Sequence, residues 1–284
     1  MRGWNGKMKK IMTDIFLCLI TAVFILPAVW IVLTALRPAA EINASPPVWI
    51  PQSLSLDKIA KLFGAFHQES TVPFSIYLYN SIVTALAGST AAIAVGTLAG
   101  YAFARFKQKG LKQIFLGLML IRAIPGIALG LPLFAIFAKL KILDNTFSLA
   151  LVYSALGIPF IAWLMSGYFK DIPEELDHSA QIDGCSRLKT LLYIDIPLAW
   201  PGLAAGWTFI FLACWNEFQI ASVLTRTTAS KTFPVGLFDF ANEFTLDWSG
   251  VAAVSLVMLV PAIIFVSLTQ RNLVMELTLG SIKG

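Results

Sequence analysis

Two ionisable side chains fall inside long apolar runs: Arg122 in IFLGLMLIRAIPGIALGLPLFAIFA and Glu217 in ACWNEFQIA. A charge in apolar surroundings costs at least a few kcal/mol, so it marks a functional site by default. Glu217 adjoins Asn216 and Gln219 and follows Trp207, Phe211 and Trp215. Aromatic faces with amides suit stacking on, and hydrogen bonding to, a polar ligand such as a sugar. The alternative is that Asn216 and Glu217 satisfy each other or a neighbouring helix. Arg122 lies eight residues beyond Ile114, about 12 Å along a helix. It either snorkels back to the nearer surface or faces a polar path, where a guanidinium would favour a carboxylate-bearing ligand.

Reactive patterns are otherwise lacking. There is no GxxxxGK[ST] for a nucleotide phosphate and no HExxH or Cys/His metal spacing, and there is no GxSxG nucleophile elbow. His67 and His178 are the only histidines, too far apart in topology to form one site. Cys18, Cys185 and Cys214 are widely spaced and imply neither a disulfide framework nor a metal. An enzyme is therefore a poor reading, and no cofactor or metal is expected on this chain.

The elements that position these residues are membrane spans. The chain is 57% hydrophobic and 13% charged, whereas a soluble domain is about a quarter charged. Six runs approach the roughly 20 residues that cross a bilayer: Ile15–Leu36, Tyr77–Ala104, Ile114–Ala138, Thr146–Phe169, Leu198–Leu224 and Val251–Thr269. They are continuous, unlike the alternating strands of a barrel. The first is too long for a signal-peptide core. With the N-terminus inside, thirteen of the 21 Lys and Arg residues fall in inner segments and seven in outer ones. That bias places both termini in the cytoplasm. The net charge of +5 then reflects orientation, not nucleic-acid binding. The expected fold is an all-α membrane protein of six transmembrane helices. It comprises a cytoplasmic N-terminal segment 1–14, a transmembrane domain 15–270 and a cytoplasmic tail 271–284.

Within the second run Gly88, Ala92, Gly96 and Gly100 recur every four residues, a spacing that lets helices approach closely. The partner is either another span of this chain or another subunit. Pro125 and Gly126 interrupt the third run and Pro159 the fourth, as simple kinks or where a span borders protein or water. The Pro-rich segment Arg37–Phe74 is expected outside, with a short helix from Leu56 to Phe63.

Acid gathers in KDIPEELDHSAQIDGCSRLKTLLYIDIPLAWPG, between the fourth and fifth runs. Pro173 suits a first helical turn, and Glu174, Glu175 and Asp177 suit a helix N-terminus. Gly184 can take φ > 0 and end the helix, and Asp183 is expected to bond local backbone N–H groups there. A second helical piece, Ser186–Ile194, ends at Pro197. Such a knob is either an ordinary surface loop or a fit for a partner's groove.

PEELDHSAQIDG followed by IDIPLAWPG resembles the EAA loop of permease subunits in bacterial ABC importers, E-A-A-x-x-D-G and then a proline-ended apolar turn. Ala180, Asp183, Gly184 and Pro197 stand at the matching places. YNSIVTALAGSTAAIAVGTLAGYAFARF, WNEF and QRNLVMELTLGSIKG are similar to the carbohydrate-uptake, MalG-like branch. The resemblance implies an inner-membrane, six-span permease half for an oligosaccharide. Its partners would be a related permease subunit, two cytoplasmic ATPase subunits that bind ATP and Mg, and an extracytoplasmic solute-binding protein. Asp177, His178, Ser179, Ala180, Asp183, Gly184 and Pro197 would form the loop that couples to the ATPase, with small Ser179 and Ala180 allowing close docking. Arg122, Trp207, Phe211, Trp215, Asn216 and Glu217 are the candidates for the substrate path. His178 departs from the pattern's glutamate and Ser179 from its first alanine. Asp177 supplies an acid one residue early, but one residue turns a helix by about 100°. A self-sufficient channel or secondary transporter for a small polar solute is the competing reading; it predicts internal repeats or matched charges in the two halves, and the chain shows neither.

Overall fold

A computed structural model describes residues 2–42, 44–46, 48–63, 73–240 and 248–280. His67 lies outside the described residues, as do parts of the segment 37–74 and the last four residues of the tail. All regular structure among the described residues is helical. Four helices are long and apolar enough to cross a membrane, and up to six spans result if each of two bent helix pairs counts as one. The chain forms two compact units, Met1–Val72 with Asp239–Val260 and Pro73–Phe238 with Pro261–Gly284.

The first unit carries α1 (Arg2–Ala35), α2 (Ala39–Ile42), α3 (Asp57–Leu62) and the start of α14 (Trp248–Gly280). None of α1's apolar core window is buried within the chain. So apolar a surface demands lipid or another protein as its neighbour. Arg37 follows α1, donates to the Trp49 carbonyl at 2.9 Å and lies over the Trp30 ring. The short helix expected from Leu56 to Phe63 is α3. The tail continues α14 as helix to Gly280.

The second unit is built on α4 (Phe74–Arg105) and α7 (Thr146–Asp171). The small-residue stripe is their seam, which decides for a partner within the chain. A Cβ on Gly96 would lie 2.6 Å from that of Ile161, on Gly88 2.8 Å from that of Tyr153, and on Gly100 2.8 Å from that of Met165. α11 (Trp200–Trp215) packs on both helices, and the short α13 (Phe233–Gly236) packs on α4.

The third and fifth runs are not straight spans. The third divides into α5 (Leu111–Ile121) and α6 (Gly126–Leu140), bent by 99°. Pro125 has no N–H to continue α5 and forces extended backbone on its neighbour. The fifth stops at Trp215, and its remainder re-forms as α12 (Gln219–Leu224), which packs on α6. A further bend of 80° separates α11 from the loop helix that ends at Leu198. Asp144, in the turn after α6, accepts N–H bonds from Arg226 and Thr227 and hydroxyls from Thr227 and Ser230, tying that turn to the segment after α12.

Candidate functional site

The acid-rich loop folds as α8 (Glu174–Ile182), α9 (Arg187–Thr190), a π turn over Leu191–Asp195 and α10 (Ile196–Leu198). Gly184 ends α8 with φ of +87°. Its N–H bonds the Gln181 carbonyl at 3.1 Å and that of Cys185 bonds Ala180 at 2.9 Å, the paired main-chain bonds of a Schellman stop. Main chain therefore closes the turn, and the expected Asp183 side-chain bond is not made among the described residues. Ser186 then caps α9 by accepting the Lys189 N–H. Pro197 does not halt the second piece. The preceding π turn widens the helix, with the Ile196 N–H bonding Leu191, and a widened turn accommodates a proline ring that would clash in an α-helix.

What holds the loop is a buried ion cluster. Arg105 ends α4 and reaches both loop helices. Its Nε lies 2.7 Å from Asp177 Oδ2, outside hydrogen-bond direction, and one Nη lies 3.2 Å from Asp195 Oδ1. The other Nη donates to the Ile172 carbonyl at 3.1 Å. One guanidinium thus clamps two carboxylates and the loop's first residues to α4. Asp195 Oδ2 is buried without a hydrogen bond among the described residues. Burial, then the nearby charge of Asp177, raises the Asp195 carboxyl to about 6 against the pull of Arg105.

The clamp sorts the residues expected to dock. Asp177 and Ala180 are buried on α8's inner face, because positions three apart share a side. As placed they meet their own chain, with Asp177 beside Arg105. His178, Ser179 and Asp183 remain outward, joined by Ile182 at 86% exposure. Sequence reading passed over Ile182, although an apolar residue on an acid-rich knob is itself a signal of contact.

The aromatic residues are also redistributed. Trp207, Phe211 and Trp215, four apart, stack in sequence along α11, and Phe265 of α14 packs against the first two. Phe211 and Trp215 are buried, so in this conformation they form core and offer a ligand no face. Trp207 donates to Thr90 at 3.3 Å.

Glu217 caps the re-formed helix. Its carboxylate accepts the N–H groups of Ile220 at 2.8 Å and Ala221 at 3.0 Å, and the Tyr153 hydroxyl at 3.0 Å. Its partners are thus its own broken span and a neighbouring helix, while Asn216 bonds back to Leu212. Arg122 ends α5 at the other break and lies 4.8 Å over the Phe160 ring. Phe160 is eleven residues before the end of α7, about 16 Å by helical rise, so the guanidinium lies about midway along that helix. The two breaks meet at Gly126, where a Cβ would lie 3.0 Å from Gln219 Oε1. Arg122, Asn216 and Gln219 are exposed polar groups there.

The sequence matches the family described as the binding-protein-dependent transport system inner membrane component over residues 92–276. The chain belongs to that family. The permease is 33% identical to a probable ABC transporter permease of Sinorhizobium fredii, covering 97% of this chain and 96% of that one. It is 32% identical to the sulfoquinovosyl glycerol transport system permease of Agrobacterium fabrum, over 91% and 88%. In fold it is similar to a chain of a bacterial ABC transporter involved in import of the acidic polysaccharide alginate. That match has a TM-score of 0.78 at 20% identity and covers 93% of the permease and 96% of that chain. The permease is therefore a multi-pass membrane protein, and its clamp and broken spans lie within the matched region.

Proposed function

We propose that this permease is a six-span half of an ATP-driven, binding-protein-dependent importer of an oligosaccharide in the bacterial inner membrane. Both termini face the cytoplasm, where the loop 170–197 docks on a separate ATPase that binds ATP and Mg. A second permease subunit, a second ATPase subunit and an extracytoplasmic binding protein complete the assembly. The observation that carries this reading is the loop itself. A sharply stopped helix presents His178, Ser179, Ile182 and Asp183 outward, while Arg105 fixes its inner face to a membrane helix. ATP-driven closure of the ATPase can then move α4, and with it the α4–α7 seam, as one body. Carbohydrate as substrate is supported by relatives named for sugars, among them the trehalose/maltose permease of Thermococcus litoralis.

The substrate path is placed where the two breaks meet, with Arg122, Asn216 and Gln219 toward the ligand and Glu217 supporting α12. The exposed guanidinium at mid-depth favours an acidic, uronide-type oligosaccharide, since a desolvated guanidinium seeks carboxylate. Reconstituted with its co-purifying ATPase, the permease should hydrolyse ATP faster with acidic than with neutral oligosaccharides, and Arg122→Gln should remove that preference. An unchanged profile in the variant would sink the acidic assignment.

Gly184→Pro tests the docking role. Proline cannot adopt the φ of +87° and deletes the N–H that bonds Gln181. It should abolish substrate-stimulated hydrolysis, while His178→Glu should retain transport. Stimulated hydrolysis surviving in the proline variant would remove the loop from coupling.

A further inference from the structure

Two crevices meet beside α5 and the last turns of α7. One, of about 280 Å³, has Phe103, Phe106 and Phe115 as walls and Lys107, Lys112 and Lys170 around it. The other, of about 410 Å³, shares Phe115, Ser166 and Lys170 and runs past Tyr168 to Trp163. Lys170 to Trp163 is seven residues, or about 10 Å of helix. Charge therefore gives way to aromatic wall over two turns, in the direction that leads from the loop into the span.

The charged end is equipped for an anion. Lys107 lies 3.6 Å from Glu174, whereas Lys112 and Lys170 form no ion pair among the described residues. Asp171 and Glu174 are the nearby acids, so the lysines outnumber them. The Ser166 hydroxyl, which lines both crevices, is buried and makes no hydrogen bond among the described residues. α5 begins at Gly110 with no side-chain cap, so its N-terminal dipole adds positive potential beside Lys112. The apolar end is open, and a Cβ at Gly167 would meet nothing within 4 Å.

We propose that the two crevices form one site for an anionic phospholipid of the cytoplasmic leaflet. Its phosphate sits between Lys112 and Lys170 with Ser166 as donor, and one acyl chain lies along Trp163. A soluble phosphate could use the lysines, but it leaves the aromatic groove empty. Basic pockets between spans on the cytoplasmic side have this chemistry. The leaflet assignment rests on the orientation proposed above; the lipid chemistry does not.

Trp163 is the natural reporter. The whole transporter is reconstituted in vesicles carrying brominated phosphatidylglycerol or brominated phosphatidylcholine, and the part of the fluorescence lost in Trp163→Phe is followed. Brominated phosphatidylglycerol should quench that part at several-fold lower mole fraction. Each of Lys112→Gln and Lys170→Gln should reduce the preference about fivefold, the equivalent of roughly 1 kcal/mol per lysine. Gly167→Leu, which fills open space, should weaken quenching by the anionic lipid. Equal quenching by both lipids would mean unselective solvation and overturn the proposal, as would no quenching by either, which would mean that protein covers the groove. Loss of the preference on adding glycerol phosphate would assign the lysines to a soluble anion and overturn the lipid. Labelling of Cys185 by an impermeant maleimide separates the leaflet question. Reaction in inside-out vesicles alone supports the orientation, and reaction from the opposite side refutes it without touching the quenching result.

Discussion

Replacing Arg105 with methionine would remove the one cation from a cluster with two carboxylates. Arg105, Asp177 and Asp195 are all buried, so solvent screening does little to soften the loss. Removing one partner of a buried ion pair costs about 3–5 kcal/mol, whereas replacing the whole set with neutral groups of similar size is close to neutral. Arg105→Met should therefore lower the thermal stability of the assembled transporter, and Arg105→Met with Asp177→Asn and Asp195→Asn should recover most of it. Function should separate from stability. The triple variant folds but lacks the tie between α4 and the loop, so its ATP hydrolysis should persist while substrate moved per ATP falls several-fold. Arg105→Lys should be intermediate, because an ammonium keeps the charge but cannot reach both acids and the Ile172 carbonyl as a fork does. The measurement is transport against hydrolysis in vesicles, at matched complex content. A triple variant with the wild-type ratio of transport to hydrolysis would refute the clamp as a coupling element.

Three further outcomes follow from the same contacts. The Asp195 carboxyl is raised from 3.8 to about 6 among Arg105 of α4 and Asp177 of α8, with Tyr101 of α4 nearby. An acid with a raised folded value contributes stability fully present below its unfolded value and lost as pH rises through the folded one, here about 3 kcal/mol between pH 4 and roughly 7. Melting temperature should fall across that window in the wild type and be flat in Asp195→Asn; parallel curves would show that this carboxyl is not the group titrating. Gly96→Ala should cost about 1–3 kcal/mol by overpacking against Ile161, with Gly167→Ala nearly neutral, as chemical unfolding of the two variants can verify. Glu217→Ala strands two N–H groups and the Tyr153 hydroxyl, at about 1–3 kcal/mol for each buried group left unpaired. Glu217→Gln keeps an acceptor and should leave the order of substrate preference unchanged; a reordered profile at normal stability would return Glu217 to the ligand.

The features legible in the sequence are those that a helix repeats locally. Gly88, Gly96 and Gly100 announced a seam because four-residue spacing is the helix's own period, although the spacing could not say whose helix lay opposite. Gly184 announced a stop because a positive φ is a property of one residue. Pro125 marked a break, but not the 99° turn, which depends on where α6 finds α12. The clamp left no such trace. Arg105 stands 72 residues from Asp177 and 90 from Asp195, and nothing periodic links them. Asp177 accordingly read as a helix-start acid of the coupling loop, and Asp195 drew no reading. The aromatic ladder was ambiguous in another way. Trp207, Phe211 and Trp215 have a spacing that serves a sugar platform and a packed core equally well, and the packing of Phe265 on the first two comes from another helix. With Asp177 and Ala180 turned to the chain's own interior, the face left for the proposed docking is made of His178, Ser179, Ile182 and Asp183. Ile182 is the large apolar group on that face, and His178 stands where the resemblance expects an acid. If the loop docks as proposed, Ile182 supplies apolar burial at this face and exposed Asp183 its charge, and the salt sensitivity of docking should fall in Asp183→Asn.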